Sequence, residues 1–171
     1  MYDEINVFLN GSIVPWRDAT VHVFTPSMRY GSGVFEGIAG YWNEYAQDLY
    51  IFRLADHLKR LALSEKVLEL DPPISPREVE DAIVQTVQAN TFRQDITIRV
   101  SVYLDGYGDM DSTGPTGIWI VALPRQASSL VDAGCSAHVS SWSRISDSAR
   151  SCLGSGGNSL AASSERSGIW A

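Results

Sequence analysis

The chain has 171 residues, 44% of them hydrophobic, which is enough to bury the core of one ordinary domain or of one domain plus part of a second. Its 13 Lys and Arg stand against 20 Asp and Glu, and this balance leaves little positive charge for binding a nucleic-acid backbone. Neither an apolar run long enough to cross a bilayer nor a signal peptide is visible, so we expect no membrane partner and a cytoplasmic location.

The first half of the chain begins with predicted strands. Asn10-Gly11 is a strong turn signal and lies between "INVFL" and "SIVPW", which together predict a hairpin. A second strand pair is predicted at "VFEGIAGYW" and "LYIF", on either side of the polar loop "NEYAQD".

Two amphipathic helices are predicted next. From Leu54 to Leu70 apolar residues recur at helical spacing, although Glu65 falls inside the apolar stripe. The second helix is predicted to begin with Ser75 as its N-cap and Pro76 as its first residue, and Glu78 completes a capping box. We expect its core face to carry Val79, Ala82, Ile83, Thr86 and Val87.

The region after the helices is predicted to return to strand. Residues 96–104 alternate strictly, with apolar residues on one face and Thr97, Arg99, Ser101 and Tyr103 on the other. The run "IWIVALP" is typical of a strand covered on both faces. These elements predict an α+β domain of sheet and helices over residues 1–125, a linker over 126–134, and the start of a second, incomplete β-rich domain over 135–171.

Arg53 is the most informative candidate site residue. A cation in the first turn of a helix opposes the helix dipole at a cost of about 0.3–1 kcal/mol, so a compensating anion is expected. Free amides at a helix start and a guanidinium together suit a phosphate or a carboxylate. The alternative is a solvated arginine, or one paired with Asp56 or Asp48.

Four further residues are candidates for a binding cavity. Arg99 projects from the polar face of its strand, and Tyr30 and Phe35 could line the same cavity, although ordinary core packing is the more common role of such aromatic residues. Tyr107 lies in a Gly-rich loop that could close over a ligand, or it is a surface tyrosine. The spacing of the three histidines indicates neither a metal site nor a catalytic triad, and His57 is interpreted as part of a solvated helix face.

Five segments together resemble the class IV, pyridoxal-phosphate-dependent aminotransferases, and most closely the branched-chain amino acid aminotransferases. They are "VFLNG", "MRYGSGVFEGIAGY", "IFRLADHLKRL", "IRVSVYLDGYGDM" and "SSWSRISD". Their order and spacing also fit, over about residues 5–148. The resemblance implies pyridoxal 5′-phosphate as cofactor, a small-molecule amino acid and a 2-oxo acid as substrates, and a homodimer.

The resemblance also implies roles for the candidate residues. Arg53 matches the arginine that holds the cofactor phosphate, which is the anion that the helix argument requires. Tyr30 and Phe35 match aromatic residues of the substrate pocket, and Arg99 matches the arginine near the substrate carboxylate. Tyr107 is the fourth residue that we expect to contact substrate.

The segment "CLGSGGNS" departs from the family pattern. In the family a lysine precedes a segment like "GGNY", and aligning the two glycines and the asparagine places Gly154 at the lysine position and Ser159 at the tyrosine position. The lysine supplies the amine that bonds to the cofactor and moves a proton during the reaction, which glycine does not. The only lysines present, Lys59 and Lys66, belong to the predicted helix at 54–70.

Three interpretations follow from this departure. The chain is a fragment or an incompletely represented form of an active branched-chain transaminase, or it is a non-catalytic domain that retains an anion site around Arg53 and Arg99. The third interpretation is a shared fold without functional meaning.

Overall fold

Six antiparallel strands form one sheet in the computed structural model, which describes residues 5–125 together with 134, 136–139 and 141. The order of strands across the sheet is β2-β1-β6-β5-β3-β4. The strands are β1 (Asn6–Leu9), β2 (Ser12–Pro15), β3 (Gly33–Asn43), β4 (Asp48–Ile51), β5 (Ile96–Leu104) and β6 (Thr116–Pro124). The helices in the same ranges are α1 (Pro26–Tyr30), α2 (Leu54–Val67) and α3 (Pro76–Gln88).

The two long helices cover one face of this sheet. Helix α2 packs against β3, and α3 packs against β6 and β1. The side chains between helices and sheet form one apolar core, whose fully enclosed members include Val34, Ile38, Ile83, Ile98, Val100, Ile118 and Ile120. Because burial of apolar surface is the main force that favours folding, this layer holds the sheet and the helices together. The expected α+β architecture is therefore confirmed.

Local sequence signals account for the ends of several elements. Asn10 and Gly11 both have positive φ angles, 46° and 98°, as the tight β1–β2 hairpin turn requires. Ser75 caps α3, and the predicted capping box with Glu78 is present. Strand β5 spans the predicted residues, and α2 ends at Val67, three residues before the predicted end.

One expectation needs correction, and one element was not predicted. The run "IWIVALP" forms β6, but helices cover only one of its faces in the part of the chain that the structure describes: Ile120 and Ala122 are buried, whereas Trp119 and Val121 are half-exposed. The short helix α1, capped by the buried Thr25, lies between the two predicted strand pairs, where no element is predicted from the sequence.

The predicted linker and second domain fall almost entirely outside the described residues. Of residues 126–171 the structure describes only Gly134, 136–139 and Ser141, all of them exposed. The boundaries at 126–134 and 135–171 therefore stay predictions.

Glu65 is a charged residue inside the buried face of α2, as its place in the apolar stripe suggests. Only 7% of it is exposed, and burial raises the pKa of its carboxyl. A carboxyl whose pKa is higher in the folded chain than in the unfolded chain contributes stability that is fully present below the unfolded pKa. That contribution is lost as the pH rises through the folded pKa.

We therefore expect Glu65→Gln to reduce the pH dependence of stability. Between about pH 4, near the ordinary glutamate pKa, and neutral pH, the wild type should lose more free energy of unfolding than the variant does. Urea unfolding at a series of pH values measures this difference. Glu80→Gln, at an exposed position of α3, is the matched control and should follow the wild type. Parallel curves for wild type and Glu65→Gln would contradict the account.

Candidate functional site

Phe35 and Arg99 lie together on the face of the sheet that the helices leave uncovered. In the β3–β5 register Phe35 lies opposite Ser101 and Gly37 opposite Arg99, so Phe35 and Arg99 are diagonal neighbours. The guanidinium carbon of Arg99 is 4.9 Å from the centre of the Phe35 ring, within cation–π distance. We call this the open face. An exposed guanidinium held over an aromatic ring can bind a carboxylate beside an apolar group.

Arg53 lies at the N-cap of α2 and not in its first turn, which corrects the sequence-based placement. Its backbone is left-handed, with φ 49° and ψ 41°, a conformation that costs a non-glycine residue about 1–3 kcal/mol and is concentrated at functional sites. Within the part of the chain that the structure describes, no side chain caps the start of α2. The Asp56 and His57 amides donate to the Arg53 carbonyl. The Leu54 and Ala55 amides, at the positive end of the helix dipole, are therefore the ones available to an anion.

The side chain of Arg53 pairs with Asp56, as one of the sequence alternatives held. Its Nε donates to Oδ2 of Asp56 at 2.7 Å, and the guanidinium lowers the pKa of that carboxyl. Its two terminal nitrogens contact no acceptor among the residues that the structure describes. The pairing therefore leaves one edge of the guanidinium available for a second anion.

The start of α2 and the open face are close neighbours in the sheet. The Phe52 amide donates to the Ala39 carbonyl on β3 at 2.8 Å, and Ala39 is two residues from Gly37, which pairs with Arg99. With strands about 4.8 Å apart and a rise of about 3.4 Å per residue, the backbones of Phe52 and Arg99 are roughly 12 Å apart. The start of α2 and the open face therefore belong to one region of the sheet.

A buried ionic cluster lies on the helix side of β3. The Glu36 carboxylate, 3% exposed, accepts bonds from Nε and Nη2 of Arg60, both at 2.6 Å, and lies 2.9 Å from Nδ1 of His57. Sequence reasoning missed this cluster, because it interpreted His57 as solvated. The sequence feature that could have revealed the cluster is Glu36, a charged residue that alternates with Val34 and Ile38 on the buried face of β3.

This cluster connects the two parts of the site. Glu36 lies in β3 directly between Phe35 and Gly37, which face the open side, and Arg60 and His57 belong to the helix that begins after Arg53. A bidentate bond between a buried carboxylate and a guanidinium fixes both distance and angle. The cluster therefore sets the position of the start of α2 relative to the open face.

Tyr30 and Tyr107 belong to a second group of contacts, around the loop at 105–112. The Tyr30 hydroxyl donates to Oδ1 of Asp109 at 2.5 Å, which raises the pKa of the tyrosine and lowers that of the aspartate. Nη1 of Arg29 donates to the Gly108 carbonyl, and its guanidinium carbon lies 4.7 Å from the centre of the Tyr30 ring. Tyr107 is 78% exposed. The structure thus pairs Phe35 with Arg99 and joins Tyr30 to the loop that carries Tyr107.

One further predicted site position is not among these contacts. Gly154 lies outside the described residues. Within the described ranges, no group of three or more His, Cys, Asp and Glu side chains is arranged to hold a metal ion, and no helix is long and apolar enough to cross a membrane.

Comparison with known protein families identifies the chain. The model of amino-transferase class IV matches residues 33–152, a range that begins at β3 and includes both Arg53 and Arg99. The chain belongs to this family. As a class IV aminotransferase chain, it can be compared with relatives of known structure.

Three relatives show how far the similarity extends. The branched-chain amino acid aminotransferase of Salmonella typhimurium is 32% identical over 144 residues, covering 81% of this chain and 46% of the relative. The structure of the Thermoproteus uzoniensis branched-chain aminotransferase with norvaline is 42% identical, with a TM-score of 0.66, and covers 70% of this chain and 40% of that one. The holo-form structure of the Thermobaculum terrenum branched-chain amino acid aminotransferase, with pyridoxal phosphate, is 34% identical with a TM-score of 0.71. It covers 85% of this chain and 48% of that one. The chain thus spans slightly less than half the length of these relatives.

We expect Glu36→Ala to destabilise the chain by about 3 kcal/mol, because the substitution removes the buried carboxylate to which both Arg60 and His57 are bonded. Urea unfolding monitored by circular dichroism measures the loss. Glu80→Ala, exposed on α3, is the control and should change the free energy of unfolding by less than about 0.5 kcal/mol. A loss from Glu36→Ala no larger than that of the control would contradict the assignment of Glu36 as a structural link.

We expect Asp109→Asn to lower the pKa of Tyr30 toward the ordinary tyrosine value, because the hydrogen bond to the carboxylate is the largest cause of its elevation. Carbon-13 NMR of the labelled tyrosine ring as a function of pH measures this pKa. The neighbouring Asp111→Asn is the control. If the Tyr30 titration is the same in wild type and Asp109→Asn, the bond between these side chains is absent in solution.

Proposed function

We propose that this chain is the small-domain part of a branched-chain amino acid aminotransferase, which passes an amino group between Leu, Ile or Val and 2-oxoglutarate with pyridoxal 5′-phosphate as cofactor. The observation that carries the proposal is the pair of cationic positions, Arg53 at the start of α2 and Arg99 on the open face, held on either side of β3. Membership of the family and the likeness to branched-chain enzymes support it.

The residues around the start of α2 fit the phosphate group of this cofactor. Among the described residues, the terminal nitrogens of Arg53 have no acceptor and the first amides of α2 have no side-chain cap. Both are donors suited to a phosphate dianion, and the helix dipole adds to the attraction. When bound, pyridoxal phosphate supplies the electron sink that makes amino-group transfer accessible.

The open face fits the amino acid substrate. Arg99 would bind its carboxylate through charge-assisted hydrogen bonds, and the Phe35 ring would contact the apolar side chain. Val121 of β6, directly across from Arg99, adds apolar surface beside the guanidinium. Norvaline, which is present in the Thermoproteus uzoniensis structure, is an unbranched amino acid of the same size as valine.

Tyr30, at the end of α1, and Tyr107, in the loop at 105–112, would complete the substrate pocket. Tyr30 is fixed there by Asp109, and Tyr107 is exposed enough to contact a ligand or a second subunit. A homodimer and a cytoplasmic location are the remaining parts of the proposal, and both rest on the family resemblance and the composition.

Gly154 supports a second candidate function. On the alignment that the resemblance implies, this residue stands at the family's lysine position and has no side-chain amine, so a chain of this sequence would bind cofactor and amino acid without transferring the amino group. The site around Arg53 and Arg99 would then act as an anion-binding site.

One experiment separates the two functions. The purified full-length gene product is mixed with pyridoxal phosphate and reduced with borohydride, its mass and labelled peptides are determined, and glutamate formation from leucine and 2-oxoglutarate is assayed. Labelling on a single peptide together with glutamate formation supports the transaminase. Unlabelled chain that binds the cofactor reversibly supports the binding function. If the cofactor does not bind at all, both proposals are wrong.

We expect Arg53→Ala to weaken binding of pyridoxal phosphate by roughly tenfold or more, because a charge-assisted hydrogen bond contributes about 1.5–3 kcal/mol. Binding of pyridoxal, which lacks the phosphate, should change little. Absorbance titration measures both affinities. The matched control is Arg77→Ala, an exposed arginine in the first turn of α3, whose N-terminus is capped by Ser75. Equal losses for the two ligands would show that Arg53 does not hold the phosphate.

A further inference from the structure

A cavity of about 490 Å³ lies between the two long helices, in the layer that covers the sheet face opposite Phe35 and Arg99. Its volume is within the range typical of small-molecule sites, about 300–1,000 Å³. Most of its wall is apolar and comes from α2, the connection to α3 and the first turn of α3. The apolar lining residues are Leu58, Leu61, Ala62, Leu70, Pro72, Ile74, Pro76 and Val79.

One charged side chain in this cavity is buried. Glu65 lines it with 7% of its surface exposed, and the carboxylate has no hydrogen-bond or ion-pair partner among the described residues. A buried carboxylate without a partner is costly, and burial raises the pKa of this group accordingly. In the proposed function of this chain Glu65 has no part, so its position inside the cavity needs another explanation.

The charges at the rim of the cavity are mainly negative. Glu69 and Asp71 line it together with a single cation, Lys66, and all three are exposed. An anionic ligand would therefore be repelled. A neutral apolar ligand would leave Glu65 without a partner in a still drier site. A Ca²⁺ or Mg²⁺ ion requires about six oxygen ligands, and the enclosed part of this cavity offers the carboxylate of one residue.

We propose that this cavity binds a small primary alkylammonium ion, whose charged end pairs with Glu65 and whose hydrocarbon chain contacts the apolar wall. The ammonium group would satisfy the carboxylate with a charge-assisted hydrogen bond. Leu58 and Leu61 of α2 and Val79 of α3 offer an apolar contact surface to the hydrocarbon chain of the ligand. Glu69 and Asp71 would attract the cation and discriminate against ligands that also carry a carboxylate.

This preference separates the cavity from the proposed amino acid site. Leucine and 3-methylbutylammonium share the same branched hydrocarbon chain, but leucine carries an additional carboxylate. On the open face that carboxylate would pair with Arg99, whereas in this cavity it would face the acidic rim. The cavity should therefore bind the amine that lacks the carboxylate and reject the amino acid.

The test is an amide NMR titration of the full chain with 3-methylbutylammonium chloride, with 3-methylbutanol, 3-methylbutanoate and leucine as matched ligands. The amine should bind saturably, shifting amides within 58–79, and should bind roughly tenfold or more tightly than the alcohol. Equal binding of amine and alcohol, shifts confined to other residues, or no saturable binding in the millimolar range would overturn the proposal.

Three variants complete the test. Glu65→Gln, which keeps the shape of the side chain, should weaken amine binding by roughly tenfold or more. Glu80→Gln, exposed on α3 outside the cavity wall, should leave it unchanged. Ala62→Leu, which fills part of the cavity and keeps the Glu65 carboxylate, should also weaken amine binding. This variant tests the cavity independently if Glu65→Gln does not fold. Undiminished binding to both cavity variants would overturn the proposal.

Discussion

The carboxylate of Glu36 is enclosed between strand β3 and helix α2, where Arg60 and His57 satisfy it. A buried charge tolerates little movement of its partners, because each lost bond leaves an unpaired group in a dry environment. Strand β3 carries Phe35 on its other face, and α2 begins beside Arg53. This one ionic contact therefore sets the distance between the proposed phosphate-binding and carboxylate-binding positions.

The sheet separates two environments with different chemistry. On one side, α2 and α3 bury a continuous apolar core, in which Glu36 is paired and Glu65 has no partner among the described residues. On the other side, the open face holds the guanidinium of Arg99 over an aromatic ring. We infer that the open face takes part in the reaction of the family, while the unpaired carboxylate marks a separate cation site within the helix layer.

Periodicity and capping signals were sufficient to predict much of the fold from the sequence. The Asn10-Gly11 turn, the Ser75 cap and the alternation along β5 each depend on nearby residues, and all three are present in the structure. The site was harder to predict, because its parts meet only through strand pairing. The diagonal contact of Phe35 with Arg99 needs the β3–β5 register, and the Glu36 cluster needs α2 to pack on β3.

The most direct test of the account is an amide NMR titration with N-(5′-phosphopyridoxyl)-L-leucine, which carries the cofactor phosphate and the substrate carboxylate in one stable molecule. Because the ligand already contains the joined cofactor and amino acid, its binding requires no lysine. If Arg53 and Arg99 form one site, a single saturation curve should shift amides both at the start of α2 and around Phe35, Gly37 and Arg99. Shifts at only one of these places, or two curves with different affinities, would contradict the single site on which the proposed function depends.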